Sequence, residues 1–270
     1  MLKILCITGW GVGVEPLQAL QQQFAQRHYA VDVLNIFDAD DPPIMQQHLE
    51  LVPHYDVLMG WSLGGQLATL LAEHYRQHTG IAKTLISLAT QPCFVAHADW
   101  PEAMPSAEFA AFQQSYQDDA LSCIKRFCYL ITQLQNSPAA SAQLEPKQQR
   151  LRAKADWLSL QSLIRPQPRS QLETGLHLLQ QLNLVEIWKN YPGQQLHLYA
   201  DQDALIKAKI VQDVADLAAN QLKVALIQGS HAFPVFNVEQ TLDEIVAWLG
   251  ANLESSTQIT ATTIESGVKL

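Results

Sequence analysis

Apolar residues recur along the chain in six short runs separated by stretches of helical periodicity. Lys3–Thr8, Val31–Phe37, Asp56–Trp61, Lys83–Ala89, Gln195–Ala200 and Lys223–Gln228 read as strands. Each is short, rich in Val, Ile and Leu, and close to uniformly apolar, as expected of strands covered on both faces. Between them Glu15–Arg27, Pro43–Leu51, Gln66–Gln77, Ala208–Ala219 and Val238–Leu249 space their apolar residues as helices do. This alternation predicts an α/β fold, with a mostly parallel sheet and helices on both faces. The rhythm stops after the fourth strand. From Phe94 to about Trp188 the chain is helical or irregular and carries prolines at 101, 105, 138, 146, 166 and 168. The expected organisation is therefore a core built from residues 1–93 and 189–251, with a helical lid inserted at 94–188. The polar, Ser/Thr-rich segment 252–270 reads as a disordered tail.

Composition narrows the class. Of the 270 residues 48% are hydrophobic and only 16% charged, as in a compact enzyme core. The formal net charge of −9 argues against non-specific nucleic-acid binding, which needs clustered cations. No apolar run approaches the roughly 20 residues of a membrane-spanning helix. Gly9-Trp10-Gly11 interrupts the N-terminal apolar run too early for a signal-peptide core, so a cytoplasmic protein is expected. Cys6, Cys93, Cys123 and Cys128 have neither metal-type spacing nor a dense disulfide pattern.

The chemistry concentrates at Gly60-Trp61-Ser62-Leu63-Gly64, between a predicted strand and a predicted helix. Such a turn leaves no room for Cβ atoms beside the serine and presents its hydroxyl at a helix N-terminus, where the dipole favours an oxyanion. A serine hydroxyl needs a base, and the base needs an orienting acid. In the α/β-hydrolase arrangement the three follow in the order serine, acid, histidine. His231 follows the sixth strand, and both Asp203 and Asp201 follow the fifth, so either aspartate can supply the acid. The N–H groups of Leu63 and Trp10 are the candidate oxyanion donors. Gly9-Trp10-Gly11-Val12-Gly13 lacks the third glycine of a dinucleotide fingerprint, since Val14 and Pro16 follow. His74 and His78 lie four apart on one helix, but no third ligand is evident, and no metal or other cofactor is expected. Trp157, Leu160 and Leu163 share a helical face suited to lid packing.

Charge is unevenly distributed. Segment 123–169 carries Lys125, Arg126, Lys147, Arg150, Arg152, Lys154, Arg165 and Arg169 against Glu145 and Asp156. It is thus about +6 on a chain whose remainder is about −15. Overhanging the serine, such a surface would steer an acidic partner or an anionic acyl thioester to the site; the plainer reading is a solvated basic face.

Several stretches taken together resemble one family. Gly60-Trp61-Ser62-Leu63-Gly64-Gly65, Thr90-Gln91-Pro92-Cys93-Phe94, Asp99-Trp100-Pro101, Phe112-Gln113-Gln114, Arg126-Phe127, Leu198-Tyr199 with Asp203, and His231-Ala232 are similar to the pimeloyl-[acyl-carrier protein] methyl ester esterases of biotin synthesis, over roughly residues 3–250. The resemblance implies an α/β-hydrolase fold and a monomeric carboxylesterase that demethylates a carrier-bound dicarboxylate monomethyl ester. It implies Ser62 as nucleophile, His231 as base and Asp203, ahead of Asp201, as its orienter. Trp10 and Leu63 would meet the oxyanion and substrate. Phe127, Cys128, Tyr129, Leu130 and Ile131 would line the acyl channel. An acyl-carrier protein would dock on Arg126, with Arg150, Arg152 and Lys154 as shifted counterparts of the family's other docking cations. The sequence departs from the pattern at Thr8, where the family commonly has histidine, and at Asp38-Ala39-Asp40-Asp41-Pro42-Pro43. Two other readings are a generalist carboxylesterase or thioesterase, and a hydrolase-fold binding protein without catalysis.

Overall fold

The computed structural model describes residues 1–135, 145–217, 219 and 221–265, with side chains described as far as Asn252. Six parallel strands, β1 (Lys3–Ile7), β2 (Ala30–Leu34), β3 (Val57–Trp61), β4 (Thr84–Leu88), β5 (Gln195–Ala200) and β6 (Leu222–Ile227), form one sheet in the order β2-β1-β3-β4-β5-β6. The chain starts at the second position and reverses direction of travel between β2 and β3. That switch point is where an open α/β sheet gathers its site at the carboxyl ends of the strands.

Helices α1 (Gln18–Gln26), α2 (Pro42–Leu49) and α3 (Leu63–Thr79) connect the first four strands. Between β4 and β5 run α4 (Ser106–Asp118), α5 (Ala120–Ile131), α6 (Pro146–Leu163), α7 (Arg169–Gln181) and α8 (Val185–Asn190). The chain closes with α9 (Ala208–Ala215), α10 (Phe233–Phe236) and α11 (Val238–Glu265). Three prolines of the middle segment mark helix starts. Pro105 and Pro168 are N-caps and Pro146 is the first residue of α6, where its missing N–H costs nothing.

Strand pleating divides the core. Ile4, Cys6, Val57 and Met59 pack with Leu20 and Phe24 of α1 and Leu242, Ile245 and Trp248 of α11. Leu5, Ile7 and Leu58 pack on the opposite face with Leu67 and Leu71 of α3. The central strands are buried on both faces and read as unbroken apolar runs for that reason. No helix among the described residues is long and apolar enough to cross a membrane.

The structure shifts several boundaries. β2 ends at Leu34, before the expected Phe37, because the Asn35 side chain accepts from the Ile36 N–H and from Thr8 Oγ1 and turns the chain out of the sheet. α3 begins at Leu63, three residues before Gln66, since the glycines that lower its helix propensity are needed for close packing. α9 ends at Ala215, short of Ala219. α11 continues past Leu249 to Glu265, so helical backbone extends into the segment 252–270 expected to be disordered; residues 266–270 lie outside the described ones.

A buried pair on the central strands gives a pH prediction. Ser87 Oγ and His197 Nδ1 are 2.6 Å apart in a hydrogen bond between β4 and β5. The ring of Trp188 lies 4.0 Å from that of His197, and His197 Nε2 has no partner among the described residues. Burial pushes the His197 pKa down from 6.5 to about 3. Between those values the unfolded chain binds a proton that the folded protein excludes, so acidification destabilises the fold. Going from pH 7 to pH 5 should cost about 2 kcal/mol through this group, at about 1.4 kcal/mol per pH unit below 6.5. Urea unfolding at the two pH values measures the loss. His197→Asn should flatten this part of the slope.

Candidate active site

The sharp turn after β3 is set by steric contacts. A Cβ on Gly60 would lie 2.1 Å from the Gly64 carbonyl carbon, and one on Gly64 would lie 2.1 Å from Ile7 O. Both collisions are with backbone, which cannot swing aside. Gly64→Ala is therefore expected to destabilise the protein by about 3 kcal/mol or more, or to prevent folding, read as a fall in the urea midpoint or in soluble yield. Between the glycines Ser62 adopts φ 55° and ψ −123°. That conformation costs a side-chain-bearing residue about 1–3 kcal/mol and is held by its surroundings. Ser62 N donates to Leu88 O at 2.8 Å, and Thr90 Oγ1 donates within reach of Ser62 O at 2.9 Å.

The loops after β5 and β6 bring the other candidates together. His231 Nδ1 and Asp203 Oδ2 are 2.9 Å apart, both side chains about 1% exposed. An ionised carboxylate can only accept, so Nδ1 carries the proton and Nε2 is the free acceptor. His231 Nε2 is buried and meets no hydrogen-bond partner among the described residues. Asp203 Oδ1 accepts from the N–H groups of Leu205 (2.7 Å) and Ile206 (3.1 Å), fixing the carboxylate plane. Asp201, the alternative acid, instead accepts from Gly229 N at 2.8 Å. Trp61, inside the serine motif, donates its indole N–H to His231 O at 3.1 Å. Beside Asp203, burial raises the Tyr199 hydroxyl well above its ordinary range, with the Asp203 charge adding to the shift. The buried Ser87–His197 pair is separate from this set: both residues sit within the sheet, and Asp203 is bonded to His231.

Ser62 also adjoins the loop after β1. A Cβ on Gly9 would be 3.4 Å from Ser62 Cβ, so this loop runs directly alongside the serine. No acceptor among the described residues takes up the N–H of Trp10 or of Leu63. The Trp10 side chain is buried. Its indole N–H donates to Leu172 O at 2.8 Å, and its ring meets Phe112, Tyr116 and Phe127 edge to face. Leu172, Tyr116 and Gly175 carry no motif and escape a sequence reading. The one usable signal is a glycine inside the helical run of α7: a Cβ at Gly175 would lie 2.6 Å from Trp10 Cδ1.

A largely apolar cavity of about 470 Å³ opens between α5 and the segment from α6 to α7. Gly11, next to Trp10, is on its wall, with Ile124, Cys128, Ile164 and Leu172; Lys125, Arg165 and Arg169 also border it. Ser62 and His231 do not line it. Of the five consecutive residues expected to line an acyl channel, Cys128 alone borders this cavity. Phe127 packs on Trp10, Tyr129 lies edge-on to Trp157 and is exposed, Leu130 is exposed, and Ile131 is buried. The expected docking cations Arg126, Arg150, Arg152 and Lys154 are on α5 and α6. Arg126 donates to Ser115 Oγ, and Arg152 donates to Asn237 Oδ1 at 3.1 Å; Arg150 and Lys154 are exposed. His78 Nδ1 meets His74 O along α3, and no group of three His, Cys, Asp or Glu among the described residues is placed to hold a metal ion.

Similarity to known proteins agrees with this geometry. A model of the Alpha/beta hydrolase family matches residues 4–248. A pimeloyl-[acyl-carrier protein] methyl ester esterase of Vibrio cholerae is 30% identical, over 85% of this chain and 87% of its own. A protein of the same name from Vibrio vulnificus is 27% identical, over 92% of this chain and 94% of its own. Among solved structures, a bromoperoxidase from Bacillus anthracis superposes with a TM-score of 0.68 at 16% identity, covering 92% of both chains; at that identity the likeness concerns the fold.

Proposed function

The chain belongs to the alpha/beta hydrolase family, and on that premise we propose that it is a serine carboxylesterase that hydrolyses the methyl ester of a carrier-bound dicarboxylate, pimeloyl-[acyl-carrier protein] methyl ester, in biotin synthesis. The observation that carries the chemistry is the buried His231–Asp203 pair, with an Nε2 that has no partner among the described residues, formed by loops at the same carboxyl end of the sheet as the strained Ser62. The printed names of the similar esterases support the substrate.

In the first step His231 Nε2 takes the Ser62 proton as Oγ attacks the ester carbonyl. The resulting oxyanion is received by the N–H groups of Trp10 and Leu63, each contributing about 2.7–4 kcal/mol. Collapse expels methoxide, which leaves as methanol with the proton from His231. Water then attacks the acyl-enzyme, giving its proton to His231, and the free carboxylic acid departs as Ser62 is re-protonated. Asp203 keeps Nδ1 protonated and stabilises the imidazolium formed in each step.

In this reading residues 94–188 are the lid, and residues 1–93 and 189–251 the catalytic core of a cytoplasmic monomer. The apolar cavity beside Gly11, bordered by Lys125, Arg165 and Arg169, is the approach for the acyl chain and its carrier arm. The acidic carrier meets the basic α5–α6 surface, through Arg126, Arg150 and Lys154. Charge steering predicts a salt signature. Raising the salt from 50 to 500 mM should lower kcat/KM on the carrier-bound ester about tenfold and leave that on free dimethyl pimelate nearly unchanged. Equal rates on the two esters, both indifferent to salt, would instead identify a generalist esterase.

A further inference from the structure

The helical segment is tied to the two loops that hold Asp203 and His231 at three places. Ala232 N donates to Ile131 O, at the end of α5, at 3.1 Å. Arg152 of α6 donates to Asn237 Oδ1, and the Asn237 amide lies against Gly229, where a Cβ would be 3.2 Å from that oxygen. The third tie is two-sided. Gln135 N donates to Gln202 O at 3.0 Å, and Gln202 Nε2 donates back to Gln135 O at 3.2 Å. Gln202 N in turn donates to Gly229 O at 3.1 Å.

Gln202 thus engages three segments at once. It precedes Asp203 in the acid loop, grips the turn after α5, and is hydrogen-bonded to the histidine loop two residues before His231. It is only 6% exposed. A buried glutamine that did no more than fill space would need one partner per polar group. Here both backbone groups and the side-chain amide are spent on segments that are distant in sequence and come together beside the acid–histidine pair.

Resting on the reading of Ser62, His231 and Asp203 as the reacting set, we infer that Gln202 is a positioning residue. It locks the acid and histidine loops to the end of α5, so that the helical segment helps set the His231–Asp203 geometry as well as receiving substrate. Small displacements at such a pair are costly, since a misplacement of about 1 Å lowers a rate on the order of a hundredfold. Arg152, by the same geometry, serves as a strap between α6 and the histidine loop.

The test uses p-nitrophenyl butyrate, which needs no carrier, with each rate normalised to the serine titrated by a fluorophosphonate. Gln202→Ala is expected to lower kcat per titrated serine about tenfold, with KM within about twofold, because ground-state binding is untouched. The downfield proton resonance of His231 Nδ1–H should broaden or vanish in the same variant. Gln135→Pro removes the reciprocal N–H from the other side and should act in the same direction; it decides the matter if Gln202→Ala does not fold. A kcat per titrated serine within twofold of wild type, with the downfield resonance intact, overturns the inference. Failure of wild-type Ser62 to react with the fluorophosphonate would instead strike the reading on which it rests.

Discussion

Ser62→Ala should lower kcat on a simple p-nitrophenyl ester by about 10⁵–10⁶-fold while leaving the fold intact. The two halves of that expectation have separate causes. The nucleophile is lost outright, so only oxyanion binding and substrate positioning remain, and these sustain about 10³-fold over water in comparable sites. The backbone at position 62 already carries a Cβ at φ 55°, and the hydrogen bonds that hold the turn use the Ser62 backbone N and O. Alanine therefore adds no new clash, and the urea midpoint should move by less than about 0.5 kcal/mol equivalent. Retained activity in a folded Ser62→Ala protein would remove the serine from the mechanism.

The second large effect separates two aspartates that stand two residues apart. Asp203→Asn should lower kcat by about 10⁴-fold. Asparagine can turn its NH₂ toward His231 Nδ1, which moves the ring proton to Nε2. The nitrogen meant to accept from Ser62 then becomes a donor. Asp201→Asn can keep an oxygen on Gly229 N, the contact Asp201 makes at 2.8 Å, and should cost no more than about tenfold through a small shift of the histidine loop. Steady-state kinetics of the two purified variants gives the comparison directly. A larger loss for Asp201→Asn than for Asp203→Asn would exchange their roles.

Those aspartates also show what the chain makes legible and what it does not. The turn at Ser62 can be read from sequence because its cause is local: Gly60 and Gly64 sit where any Cβ would strike backbone. The choice between Asp201 and Asp203 cannot be read from spacing, because both follow β5 and both reach the loop after β6; they differ in that Asp203 meets the His231 ring and Asp201 the Gly229 N–H. Of the stretch from Phe127 to Ile131, Cys128 alone borders the cavity, for a geometric reason. It lies on α5, where five consecutive residues span more than a full turn and must face several directions. Phe127 goes to Trp10, Cys128 to the cavity, and Tyr129 outward to Trp157. Arg152 looks like one more surface cation in the sequence; its bond to Asn237 joins residues 85 apart and has no local signature. The six strands and the burial of the central ones, in contrast, follow from apolar runs that the sequence displays openly.

Local chemistry thus underlies the proposal of Ser62 as nucleophile, while the proposed substrate rests on the helices between β4 and β5 and on the names of similar esterases. The most direct measurement takes both together. Purified protein is mixed with acyl-carrier protein bearing a monomethyl pimeloyl thioester, and the carrier is followed by intact-protein mass spectrometry, with Ser62→Ala in parallel. The expected result is a carrier species lighter by one CH₂, release of methanol, an intact thioester, and no change with the variant. Release of free carrier by thioester cleavage, or an unchanged methyl ester in the presence of protein that turns over p-nitrophenyl butyrate, would contradict it.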